Sequence, residues 1–151
     1  MGQQQTDGNT DRSRDGSEIR PGRDRMLSAP VLRFDLHQEL DQLRQSQSYE
    51  SGKPAGTTLV KGPDLRIVLM TLRAGARLEK HRASGPISVQ GLEGTLRLRL
   101  ADTAVELTAG EMVALEAHIS HDVEAMEDAA FLLTIGRTTY EQVSDRHEPR
   151  P

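Results

Sequence analysis

Two histidines, His81 and His121, are the residues of this sequence whose type and spacing best suit chemistry. His121 alternates with Val123 and Ala125 along a strand-like segment, which predicts that its ring points toward the core. A neutral imidazole is a common ligand of divalent metals at pH 7. Two histidines alone make a weak site, because catalytic zinc or iron usually has three protein ligands. The pair is also compatible with two inward polar side chains that hydrogen-bond each other or water.

Two further residues extend this candidate pocket. His118 precedes His121 by three residues at a predicted turn, so the two do not share a strand face and we expect His118 at the rim. Glu79 precedes His81 by two residues, and strand alternation would place its carboxylate beside that ring. For both residues, an ordinary place on the surface is the more common case.

Gln90 is the last candidate, and its direction depends on strand register. Gly85–Pro86 interrupts the strand pattern that follows His81. If the register is continuous, Ile87 and Val89 face inward, whereas a one-residue slip would turn Gln90 inward instead. Gln90 would then complete a metal site through its amide oxygen, or hydrogen-bond a bound ligand. The sequence leaves both registers open.

Short strands must position these residues, because strand signals fill the sequence between residues 57 and 137. The clearest signal is Thr95–Leu100, where three leucines alternate with polar residues, so that one face is core and the other is wet. Many short strands at spacings of about 8–12 residues, with no helix between them, indicate a β-sandwich or barrel. The predicted fold class is all-β and antiparallel.

A short helix is predicted ahead of the strands. Asp35 is suited to cap its N-terminus, and Leu36, Leu40 and Leu43 recur along one face. We expect this stripe to pack the helix on the outside of the barrel. The polar segment Ser46–Gly56, which contains glycines and a proline, predicts a loop.

The two ends of the chain are predicted to lie outside the folded domain. Residues 1–26 interleave aspartates with arginines and contain few apolar side chains. So little apolar surface cannot offset an ordering cost of about 1–2 kcal/mol per residue, and we expect a disordered N-terminal arm. The domain is expected over residues 27–140, followed by a C-terminal tail over residues 141–151.

Composition narrows the classes of function. The sequence has no cysteine, which excludes disulfides and thiolate metal sites. A net charge of -4 gives no electrostatic argument for a nucleic-acid or anionic membrane partner. No segment is apolar for long enough to span a bilayer, and the N-terminus lacks a secretory signal, so a cytoplasmic location is the default expectation. Phosphate loops and serine-centred catalytic motifs are not found.

Two segments resemble the signature motifs of the cupin superfamily. The first motif has the form G-x5-H-x-H-x3-4-E-x6-G, and Gly75, His81 and Gly94 match it. Ala83 replaces its second histidine and Ile87 replaces its glutamate. The resemblance implies a small jelly-roll β-barrel with the ring of His81 pointing inside.

The second motif has the form G-x5-P-x-G-x2-H-x3-N. Gly110 and His121 match it, while Glu116, His118 and Ala125 stand where proline, glycine and asparagine are usual. Together the two segments extend the resemblance over residues 65–135. It implies that half of the usual metal ligands are missing.

The sequence therefore predicts a small cupin barrel that binds a small molecule in its mouth, in a pocket lined by His81, Gln90, His118 and His121. A divalent metal (Zn, Fe, Mn or Ni) would be held weakly by His81 and His121. The alternative is a metal-dependent enzyme of the oxygenase or isomerase type, which would need a substituted third ligand. A third hypothesis is a structural or interaction module whose barrel is simply filled.

A homodimer is also expected. Leu65–Leu72 is apolar on both faces, and a single barrel buries only one of them. The resemblance implies a sheet-on-sheet dimer that covers the second face with the same patch on both subunits. The helix predicted around residues 36–43 is the alternative cover for that face.

Overall fold

The structure is a computed structural model that describes residues 18–20 and 29–137. This part of the chain contains ten strands and two helices. The helices are α1 (Leu36–Arg44) and α2 (Gln47–Glu50). The strands are β1 (Glu18–Arg20), β2 (Ala55–Lys61), β3 (Leu65–Leu72), β4 (Arg77–His81), β5 (Ile87–Glu93), β6 (Thr95–Arg99), β7 (Ala104–Thr108), β8 (Met112–Leu115), β9 (His121–Ala125) and β10 (Ala129–Gly136).

The strands form two sheets that enclose the main core. The six-stranded sheet has the order β1-β2-β3-β10-β5-β8, and the four-stranded sheet has the order β4-β9-β6-β7. Every pairing is antiparallel except that of β1 with β2. Leu96 and Leu98 are fully buried against Val89 and Phe131 of the other sheet, as their alternation predicts. The all-β jelly-roll architecture is confirmed.

Helix α1 covers the outer face of the six-stranded sheet. The side chain of Asp35 accepts a hydrogen bond from the backbone N–H of Gln38 at 3.2 Å, which confirms the predicted cap. Leu40 and Leu43 are buried together with Leu69 of β3, in a second apolar cluster. Helix α1 therefore buries the outer face of β3, as the alternative to a dimer predicts. An exposed apolar face on β3 is no longer a reason to expect a homodimer. The homodimer stays a prediction, which light scattering at micromolar concentration tests.

The segment predicted as a loop before β2 is more ordered than expected. Residues 47–50 form α2, and β2 begins at Ala55. The side chain of Ser46 caps α2 by accepting a hydrogen bond from the backbone N–H of Tyr49 at 3.3 Å. The loop prediction failed because Tyr49 is buried against α1 and β2, and this contact outweighs the weak helix propensity of its polar neighbours. Neither α1 nor α2 is long and apolar enough to cross a membrane.

Two arginines form polar contacts between the helices and the barrel. Arg44, in the last turn of α1, forms an ion pair with Glu93 of β5. Burial alone would lower the pKa of Arg44, but the hydrogen bond and charge of Glu93 outweigh burial, so this pKa is raised. Arg73 donates a hydrogen bond from Nε to the carbonyl oxygen of Tyr49 at 2.9 Å, and its guanidinium lies 4.5 Å from the Tyr49 ring centroid.

Three residues of the expected N-terminal arm form a strand. Glu18–Arg20 pairs in parallel with Ala55–Thr57 at the edge of the six-stranded sheet. An edge strand offers unpaired N–H and C=O groups, so even a polar segment can add to it. This short pairing departs from the expectation of disorder. The rest of that arm, and the tail from residue 138 onward, lie outside the described residues.

Candidate functional site

His81 and His121 face each other at one end of the four-stranded sheet. They are Cα partners in the antiparallel pairing of β4 with β9. Their ring centroids lie 4.5 Å apart, and the ring planes are tilted by 59°. His121 is 3% exposed, whereas His81 is open to solvent. The expected convergence of the two rings is therefore found, with one ring in the wall of the barrel and the other at its opening.

A β-bulge turns His81 toward its partner. Leu78 pairs with Val123 and packs against the core, and the next aligned pair is His81 with His121. Three steps along β4 thus match two steps along β9, so one extra residue reverses the alternation. Without the bulge, His81 would point away from the core. The register shift therefore lies before this histidine, and not at residues 85–86, where the sequence left a slip open.

The bulge also removes Glu79 from the candidate site. The prediction for Glu79 assumed unbroken alternation between it and His81, and the extra residue breaks that alternation. Its side chain is exposed, and no third acidic, histidine or cysteine side chain joins the pair within residues 29–137. Glu79 contributes its backbone carbonyl instead of its carboxylate.

Both imidazoles are held in the same way by the backbone. Nδ1 of His81 lies 2.9 Å from the carbonyl oxygen of Glu79, and Nδ1 of His121 lies 2.9 Å from the carbonyl oxygen of Ile119. A carbonyl oxygen only accepts, so each Nδ1 must carry the proton and donate it. In the neutral rings this leaves the lone pair of each Nε2 available. Carbonyl partners of this kind fix the ring orientation of histidine ligands in metal sites.

Gln90 does not join the histidines. Ile87 and Val89 are buried in the main core, so β5 keeps its continuous register and its other face carries Gln90. Gln90 is exposed and pairs with Leu132, which belongs to the cluster under α1. The pocket assignment of Gln90 was wrong, because core packing of the two apolar neighbours fixes the register.

His118 lies in the loop between β8 and β9, at the same end of the barrel as the pair. It is exposed, and its backbone N–H donates to the carbonyl oxygen of Ala83 at 2.8 Å. This bond joins the loop to the connection between β4 and β5. The φ angle of His118 is 66°, a left-handed conformation that glycine adopts without strain. That conformation explains physically why glycine is usual at this position of the second motif.

Arg66 is a candidate that sequence reasoning missed. On β3 it follows the alternation of Val68, which faces the main core. Its pairing with Ile135, which in turn pairs with Ile87, places it in the inner row at the mouth of the barrel. Its Nη2 donates to Oγ1 of Thr58 at 3.5 Å. The signal was present in the sequence, since a cation stood in phase with an apolar core face.

The donor set fits a divalent transition metal only in part. Imidazole nitrogen suits Zn, Fe and Ni, and the two Nε2 atoms are free to bind. The positions of the missing motif ligands are apolar: Ile87 is buried in the core and Ala83 packs against it. A metal bound here would therefore take its remaining ligands from water or from a bound molecule.

Comparison with known proteins identifies the fold. No family model and no curated protein matches the sequence. A conserved protein of unknown function from Streptococcus pyogenes, SPY1581, matches with a TM-score of 0.61 and 24% identity over 72% of this chain and 90% of that one. A cupin-2 domain protein from Shewanella frigidimarina matches with a TM-score of 0.56 and 18% identity, over 69% and 94% of the two chains. The chain has the fold of the cupin proteins.

A cupin 2 conserved barrel domain protein from Leptotrichia buccalis is 30% identical with a TM-score of 0.56. That match covers 59% of this chain and 43% of the other. The resemblance read from the two motifs is thereby confirmed at the level of the fold. This chain keeps one histidine of each motif, and its structure brings those two together.

Proposed function

We propose that this cupin binds a small molecule together with a divalent transition metal at the mouth of its barrel. His81 and His121 are the protein ligands, each through Nε2. The observation that carries the proposal is the matched pair of Nδ1 hydrogen bonds, which orients both rings and leaves both Nε2 lone pairs unused. A bound metal would supply a Lewis acid that holds a ligand oxygen.

The metal alone should bind weakly. Structural zinc sites with four protein ligands are worth about 10–16 kcal/mol, and two of four ligands scale this to about 5–8 kcal/mol. That range corresponds to a dissociation constant of about 1 μM to 0.2 mM. A chelating small molecule that completes the coordination raises the affinity, so metal and ligand should each strengthen the binding of the other.

Binding is favoured over catalysis by the ligand count. A metal-dependent enzyme of the oxygenase or isomerase type would rest on three protein ligands, and the described part of the chain groups no third histidine, acidic or cysteine side chain with His81 and His121. The side chains at the positions of the missing ligands, Ala83 and Ile87, are apolar and carry no donor atom for a metal. The proposal therefore gives His81 and His121 a binding role.

Calorimetric titration tests this proposal. Zn, Mn, Ni and Fe(II) are titrated into wild type, His81→Ala and His121→Ala, with His37→Ala as the matched control because His37 is exposed on α1. Either pair variant should lose most of the affinity, and the control should bind as wild type does. Equal binding by all four proteins would refute the proposal.

A further inference from the structure

Arg66 lies across the mouth of the barrel from the histidine pair. β3 leads into β4 through a tight turn, so the two strands fold back on each other in facing sheets. Arg66 stands next to the first residue of β3, and His81 is the last residue of β4. Both therefore lie at the ends remote from that turn. Facing sheets are about 10 Å apart, so long side chains from each reach toward the same space.

One inner row of the six-stranded sheet combines cations with aliphatic side chains. The register links Lys61 to Arg66, Arg66 to Ile135, Ile135 to Ile87, and Ile87 to Leu115. Lys61 and Arg66 are exposed at the edge of this row, while its aliphatic members pack against the main core. The row thus places two positive charges at its edge and aliphatic side chains beside them, opposite the two imidazoles.

The charge of Arg66 is not used by the fold. Of the arginines within residues 29–137, most form ion pairs or stack on an aromatic ring, and the exceptions are Arg33, Arg66 and Arg82. The one hydrogen bond that Arg66 makes, to Thr58, is long at 3.5 Å and has a neutral acceptor. Neither Arg66 nor Lys61 has a carboxylate partner in this part of the chain, although the whole sequence has a net charge of -4.

We infer that the mouth of the barrel selects small organic carboxylates. A planar guanidinium presents paired N–H donors that match a carboxylate, and Lys61 adds a second positive charge beside it. The aliphatic row accommodates a short hydrocarbon segment. A second oxygen-bearing group then reaches the histidine pair, where carboxylate oxygen also suits a divalent metal. Only this last contact rests on the proposed function, because recognition by Arg66 needs no metal.

The test uses succinate as the probe at low ionic strength, in buffer freed of metal by a chelating resin. Binding is followed by NMR titration of wild type, Arg66→Gln and Arg66→Lys, with Arg33→Gln as the matched control for loss of one arginine charge. Arg66→Gln should weaken succinate binding by roughly 10–100-fold, as expected for a charged hydrogen-bonded contact. The affinity of Arg66→Lys for succinate should lie between those of wild type and Arg66→Gln, because lysine keeps the positive charge but lacks the paired N–H donors of the guanidinium. Arg33→Gln should change the affinity less than twofold.

Two further probes decide the ligand class. Succinamide has the same length without charge and should not bind detectably, and inorganic phosphate should bind more weakly than succinate. Succinate binding that is unchanged in Arg66→Gln, succinamide binding as strong as that of succinate, or tighter binding of phosphate would each overturn the inference.

The same proteins separate this inference from the proposed function. Zinc binding by Arg66→Gln should equal that of wild type, because Arg66 is not a metal ligand. If zinc fails to bind wild type while succinate binding still depends on Arg66, the proposed function falls and the carboxylate subsite stands. The reverse result overturns the carboxylate subsite alone.

Discussion

Substitution of Gly94 by alanine should cost far more stability than the same substitution at Gly75. Both glycines belong to the first cupin motif, and both adopt left-handed backbone angles, with φ of 68° at Gly94 and 83° at Gly75. Their surroundings differ. A Cβ at Gly75 meets no atom within 4 Å, whereas a Cβ at Gly94 would overlap the carbonyl oxygen of Asp128 and lie 3.0 Å from Cα of Ala129. The pair therefore separates backbone strain from steric overlap.

The magnitudes follow from these contacts. A left-handed alanine costs about 1–2 kcal/mol in either place, and about 0.4–1 kcal/mol is recovered because the unfolded chain loses freedom. Gly75→Ala should therefore lose about 1 kcal/mol. Gly94→Ala must also displace the backbone at the start of β10, which adds about 1–3 kcal/mol. At about 4 °C per kcal/mol, the two melting temperatures should differ by roughly 4–12 °C.

Thermal and urea unfolding of wild type and of both variants make the measurement. Urea midpoints with an unchanged slope would confirm that the variants unfold as one cooperative unit. Equal losses of stability at Gly94 and Gly75 would refute the reasoning, because they would mean that the backbone of β10 does not press against Gly94.

Two other substitutions test the sheet and the rim of the mouth. Leu98→Asp should unfold the protein, because it places an unpaired charge at a fully buried position. Arg97→Ala, on the outer face of the same strand, should lower the free energy of unfolding by less than about 1 kcal/mol. A soluble, cooperatively melting Leu98→Asp protein would show that the faces of β6 are misassigned. His118→Gly should leave stability unchanged or raise it by up to about 1 kcal/mol, because glycine adopts the left-handed conformation without strain, whereas His118→Val should lower it by about 1–2 kcal/mol. A lower melting temperature for His118→Gly than for His118→Val would contradict that reasoning.

The alternation of apolar residues was enough to predict most strands. β3 (Leu65–Leu72) and β9 (His121–Ala125) begin and end at the predicted residues, because β3 is mostly apolar and β9 alternates inward-facing with acidic residues. The covering helix was also predictable, since Asp35 is a strong cap and its leucine stripe has one place to pack. These features depend on local sequence, and a single sequence contains that information in full.

The candidate site was only partly predictable for the opposite reason. The bulge before His81 is set by the pairing of β4 with β9, and nothing in the residues between Leu78 and His81 marks it. Unbroken alternation predicts that the carboxylate of Glu79 lies beside the ring of His81, and the bulge turns that side chain away instead. Arg66 stands in a strand whose other residues are mostly apolar, yet the alternation that assigns Val68 to the core also assigns Arg66 to the inner face.

The most direct test of the proposed metal site is anomalous scattering at the zinc edge from crystals of this protein grown with zinc and succinate. The account predicts one strong peak at about 2.0–2.1 Å from Nε2 of both His81 and His121, with oxygen from water or succinate completing a tetrahedral shell. A peak at His37 or His118 with none between the paired rings, or no peak at all at millimolar zinc, would contradict it.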